Sequence, residues 1–131
     1  MILGCHHIEL NVSDLDRSLE FYAMLAQFFP ASSLEQGTSW FQWRFADIYI
    51  HFNQVQSRFV DVPYHRKRIG LDHVAFTIES RDEILALERF LVQRGIAILY
   101  PAALYGPRYF AVYFDDPDRI KFEFGANLPS E

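Results

Sequence analysis

His6 and His7 stand side by side in "CHHIELNV" (5–12), His51 lies in "DIYIHFN" (47–53), His73 in "LDHVAFTIES" (71–80) and Glu123 in "RIKFEF" (119–124). Imidazole nitrogens and carboxylate oxygens are common donors to Zn, Mn, Fe, Co or Ni. Two imidazoles and one carboxylate leave positions on such an ion open to water or substrate. The same groups also move protons. What they can do depends on which of them share a face.

The segments that carry them read as strands. In 5–12, Ile8, Leu10 and Val12 fall on one face and His7, Glu9 and Asn11 on the other. Neighbours on a strand point to opposite faces, so His6 and His7 cannot do the same job. His6 is expected on the helix side or at the sheet end, and no chemistry is assigned to it. In 71–80, Val74, Phe76 and Ile78 form one face, and His73, Ala75 and Thr77 the other. A helix follows each strand. Ser13 is the expected N-cap of the first, with Leu15, Leu19, Tyr22 and Ala26 at helical spacing. Ser80 and Glu83 form a capping-box pattern for the second, Ile84, Leu87, Phe90 and Leu91 supply its apolar stripe, and Gly95 is its stop.

Three further strands follow each helix. In the first half they are a short one near 31–36, then 38–45 and 47–53. In the second they are 96–101, 108–114 and 119–124, with the turn "DDPDR" (115–119) before the last. Strand, helix and three strands are thus written twice, over about 3–55 and 70–126. The stretch 56–69 reads as a linker, and its basic run "YHRKR" as solvated surface. The fold class is α+β: two tandem βαβββ units, expected to form a curved mixed sheet around a central cleft with the helices on the outer face.

Parity extends the pattern to every strand. Phe41, Trp43 and Phe45 alternate with Trp40, Gln42 and Arg44, and Ile48, Ile50 and Phe52 with Tyr49, His51 and Asn53. Phe110, Val112 and Phe114 alternate with Tyr109, Ala111 and Tyr113, and Ile120, Phe122 and Phe124 with Lys121, Glu123 and Gly125. The apolar sets suit a helix-covered face. The opposite sets are too aromatic for plain solvent exposure and suit a cleft. Pairing the units about a pseudo-twofold axis would bring the first and last strands of both together, joining His7, His73 and Glu123 as metal donors, with His51 in the position equivalent to Glu123. Trp40, Arg44, Tyr49, Tyr109, Tyr113 and Lys121 are the candidate substrate contacts. Glu9 is expected to pair with Lys121 or to orient His7. Arg108, beside Gly106-Pro107, reads equally as loop or anion contact.

The chain has 131 residues, half of them apolar, including thirteen Phe, and a formal net charge of −5. That is one folded domain's worth of sequence, and its mild acidity argues against nucleic acid or an anionic membrane as partner. The lone Cys5 precludes an internal disulfide and fits a reducing compartment. With no charged region and apolar run at the start, a cytoplasmic location is expected.

The pieces "HHIELNVSDLDRSLEFY", "GLDHVAFTI" and "YFDDPDRIKFEF" together resemble the vicinal oxygen chelate superfamily, which includes glyoxalase I, fosfomycin-modifying enzymes, extradiol dioxygenases and bleomycin-resistance proteins. The likeness runs over about residues 3–126 and implies one glyoxalase-like domain over 1–131. It implies His7, His73 and Glu123 as ligands of a divalent ion (Zn, Ni, Mn, Fe or Co) and a homodimer whose units pair within one chain or swap between two. Glyoxalase I has a further carboxylate ligand where this chain has His51, so His51 is read as fourth ligand, base or substrate contact. Glu123 and His51 are the expected proton-handling groups. Arg119 departs from the family's usual Gly after "DPD". Fosfomycin thiol transferases usually carry Thr where this chain has Glu9, a carboxylate that should repel a phosphonate. Glyoxalase I usually has Arg where Asn11 stands, which counts against glutathione. An extradiol dioxygenase is disfavoured by the lack of its upstream His. The implied function is a metal-dependent lyase or isomerase of the glyoxalase kind acting on a small oxygen-bearing substrate. The alternative is a bleomycin-resistance-like protein that sequesters a planar ligand without turnover.

Overall fold

The computed structural model describes residues 1–130 and divides the chain into two compact units, the first ending at Pro63 and the second starting at Tyr64. In the first unit β1 (His7–Val12) leads into α1 (Leu15–Ala26), followed by β2 (Ser33–Gln36), β3 (Trp40–Phe45) and β4 (Ile48–Gln54). In the second, β5 (His73–Thr77) leads into α2 (Arg81–Gln93), followed by β6 (Ile98–Leu104), β7 (Tyr109–Asp115) and β8 (Lys121–Asn127). Each unit has its own four-stranded sheet, ordered β1-β4-β3-β2 and β5-β8-β7-β6. In both, the first strand runs parallel to the last and the other neighbours are antiparallel. The doubled βαβββ order is the α+β architecture that the sequence implies.

The two helices start as their caps dictate, with one difference from expectation. Asp14, and not Ser13, is the N-cap of α1, its carboxylate accepting from the Arg17 amide at 3.1 Å. Ser13 instead accepts from the Arg17 guanidinium at 2.9 Å. An ionised Asp also suits the positive end of the helix better than a hydroxyl does. Ser80 caps α2 through the Glu83 amide at 3.2 Å, and Gly95 takes φ +77° just past its end, the left-handed turn that favours glycine.

Strand parity builds both cores. Tyr22 and Leu25 of α1 are fully buried, as are Phe41, Ile50 and Phe52 of the sheet. Ile84, Leu87 and Leu91 of α2 are likewise fully buried, with Val112, Phe114 and Phe122. Each such side chain contributes about 1.5–3 kcal/mol relative to exposure. The ring planes interlock: Tyr22 lies 4.3 Å from Phe52, and Phe114 stacks on Phe124 at 5.4 Å.

The basic run is not simply solvated. Arg66 pairs with Asp115 and donates to the Arg119 carbonyl at 3.1 Å, and Lys67 reaches Asp72 at 3.3 Å. Tyr64 donates to the Leu71 carbonyl at 2.6 Å. Residues 64–72 are therefore laid onto the second unit, while 57–59 form one 3₁₀ turn at the end of the first. No helix among the described residues is long and apolar enough to cross a membrane.

The 115–119 turn is closed by buried Asp116, whose carboxylate accepts from the amides of Asp118 (2.8 Å) and Ile120 (2.9 Å). This folding puts Arg119 at φ +65°. A side chain there costs about 1–2 kcal/mol, more than the roughly 0.4–1 kcal/mol of unfolded-state entropy that glycine would add. Arg119→Gly is expected to raise stability by about 0.5–1 kcal/mol in urea denaturation. A lowered midpoint would contradict this account of the turn.

Candidate functional site

In the second unit the first strand pairs with the last so that His73 lies opposite Lys121 and Ala75 opposite Glu123. Across this pairing His73 and Glu123 meet, Nε2 to Oε1 at 3.1 Å. The Glu123 side chain is only 10% exposed. Its other oxygen, Oε2, accepts from the Tyr109 hydroxyl, and the Tyr113 hydroxyl also bonds this carboxylate. Gly125 permits the first of these contacts. A Cβ at 125 would occupy the space taken by the Tyr109 ring and hydroxyl.

His73 is held from the other side too. Its Nδ1 lies 2.8 Å from Asp72 Oδ1, which also receives Lys121 Nζ at 3.2 Å. The hydrogen bond with His73, then that with Lys121, holds the Asp72 carboxyl well below the usual carboxylate range. Lys121, expected as a substrate contact, is thus engaged with Asp72, and its side chain is 11% exposed. Tyr109 and Tyr113 are pushed upward by burial first and by the Glu123 carboxylate second, Tyr113 to about 12.

The first unit repeats the register with other side chains. His7 lies opposite Tyr49, and Glu9 opposite His51, so His51 holds the position that Glu123 holds in the second unit. His7 stacks on Tyr49 at 5.0 Å with planes 4° apart, and the Arg44 guanidinium lies 4.6 Å from the same tyrosine ring. Of these two expected substrate contacts, Tyr49 is thereby engaged with His7 and Arg44 with Tyr49. Glu9 Oε1 is 3.6 Å from His7 Nε2, the orienting alternative for that residue. His51 Nδ1 meets Gln42 Oε1 at 3.2 Å, and Trp40 stacks on the His51 ring at 5.2 Å. Because the Gln42 oxygen can only accept, this contact selects the tautomer of neutral His51 that donates from Nδ1 and carries its lone pair on Nε2.

Sequence reasoning passed over four residues. β1 begins at His7, so parity does not reach His6, whose Nδ1 lies 2.9 Å from Nδ1 of His7. Asp72 precedes β5 in the same way. Tyr100 and Tyr105 flank Tyr113 edge-on at 5.4 and 5.2 Å. The register shift between Ile98 and Tyr100 pairs Tyr100 with Tyr113, where unbroken alternation would turn it to the core face. A bulge of this kind leaves little trace in a sequence, although Pro101 inside the strand is a hint.

Among the described residues of either unit, no three His, Cys, Asp or Glu side chains are arranged to hold a metal ion by themselves. The second unit offers a pair of donors that fits one. Two donors each about 2.1 Å from an ion, at a right or tetrahedral angle, lie about 3.0–3.4 Å apart, and Nε2 of His73 and Oε1 of Glu123 are 3.1 Å apart. With Nδ1 given to Asp72, a neutral His73 turns a lone pair toward a carboxylate. That contact is favourable only with a cation, a proton or a metal, between them.

This doubled βαβββ chain with a histidine opening each half belongs to the Glyoxalase/Bleomycin resistance protein/Dioxygenase superfamily, whose family model matches residues 4–124. The chain is similar to the uncharacterized protein YqjT of Bacillus subtilis, at 35% identity covering 92% of this chain and 97% of that one. It is also similar to the metallothiol transferase FosB of Lysinibacillus sphaericus, at 32% identity covering 94% and 82%. Among solved structures, a provisionally assigned glyoxalase from Bacillus halodurans is 36% identical with a TM-score of 0.84, covering 93% of this chain and 94% of its own. The fosfomycin resistance protein FosX of Listeria monocytogenes shares the fold at 24% identity and a TM-score of 0.71, covering 98% and 96%.

The tyrosine shifts have a sign. A raised tyrosine pKa favours the neutral form in the folded chain. Its stabilisation is complete below about pH 10 and is lost as pH rises through the folded value, about 12 for Tyr113. In an alkaline absorbance titration, Tyr109 and Tyr113 should ionise well above the range of a solvent-exposed tyrosine. Glu123→Gln should bring both down while leaving the part due to burial. An unchanged titration curve would remove Glu123 from this account.

Proposed function

We propose that the chain is a metal-dependent enzyme of the glyoxalase kind, a lyase or isomerase, acting on a small oxygen-bearing substrate. His73 and Glu123 of the second unit and His7 of the first are the proposed ligands of one divalent ion, drawn from one chain or from two copies. The observation that carries the reading is the 3.1 Å approach of His73 Nε2 to nearly buried Glu123, with Asp72 holding Nδ1. A bound divalent ion supplies a Lewis acid that lowers the energy of a substrate oxygen as negative charge develops on it.

The chain's own residues supply the rest. His51, with Nδ1 bonded to Gln42, offers Nε2 to take a proton from substrate and return it. Glu123, fixed through Oε2 by Tyr109, is the second proton-handling candidate. Trp40, Tyr109 and Tyr113 offer apolar ring faces to the carbon skeleton, with Arg44, Tyr49 and Lys121 as outer contacts through the residues they hold. A homodimer in the cytoplasm is part of this reading.

The 32% identity to FosB favours a second reading in which a thiol is added to a small electrophile such as an epoxide. Glu9, more than half exposed beside His7, argues against an anionic phosphonate as that electrophile and leaves neutral or cationic ones. Non-catalytic sequestration of a planar ligand is weakened by the engagement of the rings themselves, Trp40 with His51 and Tyr113 with Glu123.

Protein purified without chelators should carry about one divalent ion per chain, and His73→Ala should lose it. His51→Gln should keep the ion and lower kcat by roughly 10²–10⁴-fold on the turned-over member of a hemithioacetal, epoxide-plus-thiol and catechol panel. A wild-type chain that holds no ion yet binds planar aromatics would replace this reading with sequestration.

A further inference from the structure

The residue immediately before each strand-opening histidine touches Nδ1 of the histidine that follows. Asp72 Oδ1 lies 2.8 Å from His73 Nδ1, and His6 Nδ1 lies 2.9 Å from His7 Nδ1. Asp72 is itself fixed from two directions. Lys121 Nζ, on the last strand, meets Oδ1 at 3.2 Å, and Lys67 Nζ, on the segment laid across the second unit, meets Oδ2 at 3.3 Å. These three contacts use both carboxylate oxygens and leave Asp72 aimed at the imidazole.

We propose that Asp72 is a positioning residue for metal binding: held by Lys67 and Lys121, it takes the Nδ1 proton of His73 in a hydrogen bond and so presents Nε2, beside Glu123, as the donor. This inference rests on the metal-dependent reading above. Its physical basis is the coupling between the two ring nitrogens. A neutral imidazole carries one proton, so fixing it at Nδ1 frees the lone pair on Nε2. An anionic acceptor at Nδ1 also makes Nε2 a stronger donor and stops the ring from turning about χ2. Lys121 then has a use that leaves the substrate untouched. It balances the Asp72 charge, so that the carboxylate oriented toward His73 does not become a competing ligand.

The test is a titration of metal-stripped full-length protein with Co(II), read by calorimetry and by the visible absorption of the bound ion. Asp72→Ala should weaken Co(II) binding by about 10–100-fold. Asp72→Asn keeps an accepting oxygen at Nδ1 and should recover part of that loss. Lys67→Met should weaken binding by less than Asp72→Ala, since Lys121 remains. Urea melts of each variant separate unfolding from lost affinity, and the isosteric Asn variant carries the comparison if the alanine chain does not fold. A wild-type chain that takes up no Co(II) overturns the metal-dependent reading and this inference together. A wild-type chain that binds, with folded Asp72 variants binding equally tightly, overturns this inference alone.

Discussion

Everything chemical in this chain depends on the register between the first and last strand of each unit. β5 and β8 run parallel with Ala75 opposite Glu123, and this one pairing puts a carboxylate beside the ring two residues back. The pleat makes the arrangement all-or-none. A slip of one residue would turn Glu123 into the core and Phe122 out of it. The fully buried Phe122 and nearly buried Phe124 on either side of Glu123 hold the register against that slip, because their transfer to water would cost several kcal/mol together. The core thereby fixes the site.

The two units carry the same register with different equipment. Where the second has Glu123, Tyr113, Lys121 and Asp72, the first has His51, Gln42, Tyr49 and His6. In the second unit a carboxylate is steadied by tyrosine hydroxyls and an imidazole by a carboxylate. In the first, an imidazole is steadied by an amide and stacked on an indole, and the opening histidine rests on a tyrosine ring. The second set suits a fixed donor pair. The first sets its two imidazoles against aromatic rings, with the Glu9 carboxylate 3.6 Å from His7.

Much of the fold could be read because a ring or aliphatic group recurs at every second position of β3, β4, β7 and β8 and is buried or half-buried there, although burial itself extends to both faces of β8. The failures share a cause. Parity applies only inside a strand, and His6, Asp72 and Asp14 stand just outside one or between elements, where local turns set direction. Tyr100 was hidden by a bulge, and the partner of Arg66 by a sequence separation of 49 residues. The face carrying the candidate site was legible. Which members of that face touch substrate was not, since Arg44, Tyr49 and Lys121 look alike in a sequence whether they meet a ligand or hold its neighbours. The reaction is less legible still, because one scaffold serves many chemistries.

The choice of tyrosine around Glu123 follows from the same economy of charge. A nearly buried carboxylate needs donors, and an ammonium or guanidinium would satisfy it most strongly. A cation placed there would also neutralise it. Tyr109 and Tyr113 donate without adding charge, and their raised pKa values keep them neutral well above physiological pH. Oε2 is thereby occupied and Oε1 left facing His73. Lys121, the one cation on the same strand face, is drawn off to Asp72. The carboxylate is thereby satisfied at low solvent exposure by groups that bring no charge of their own.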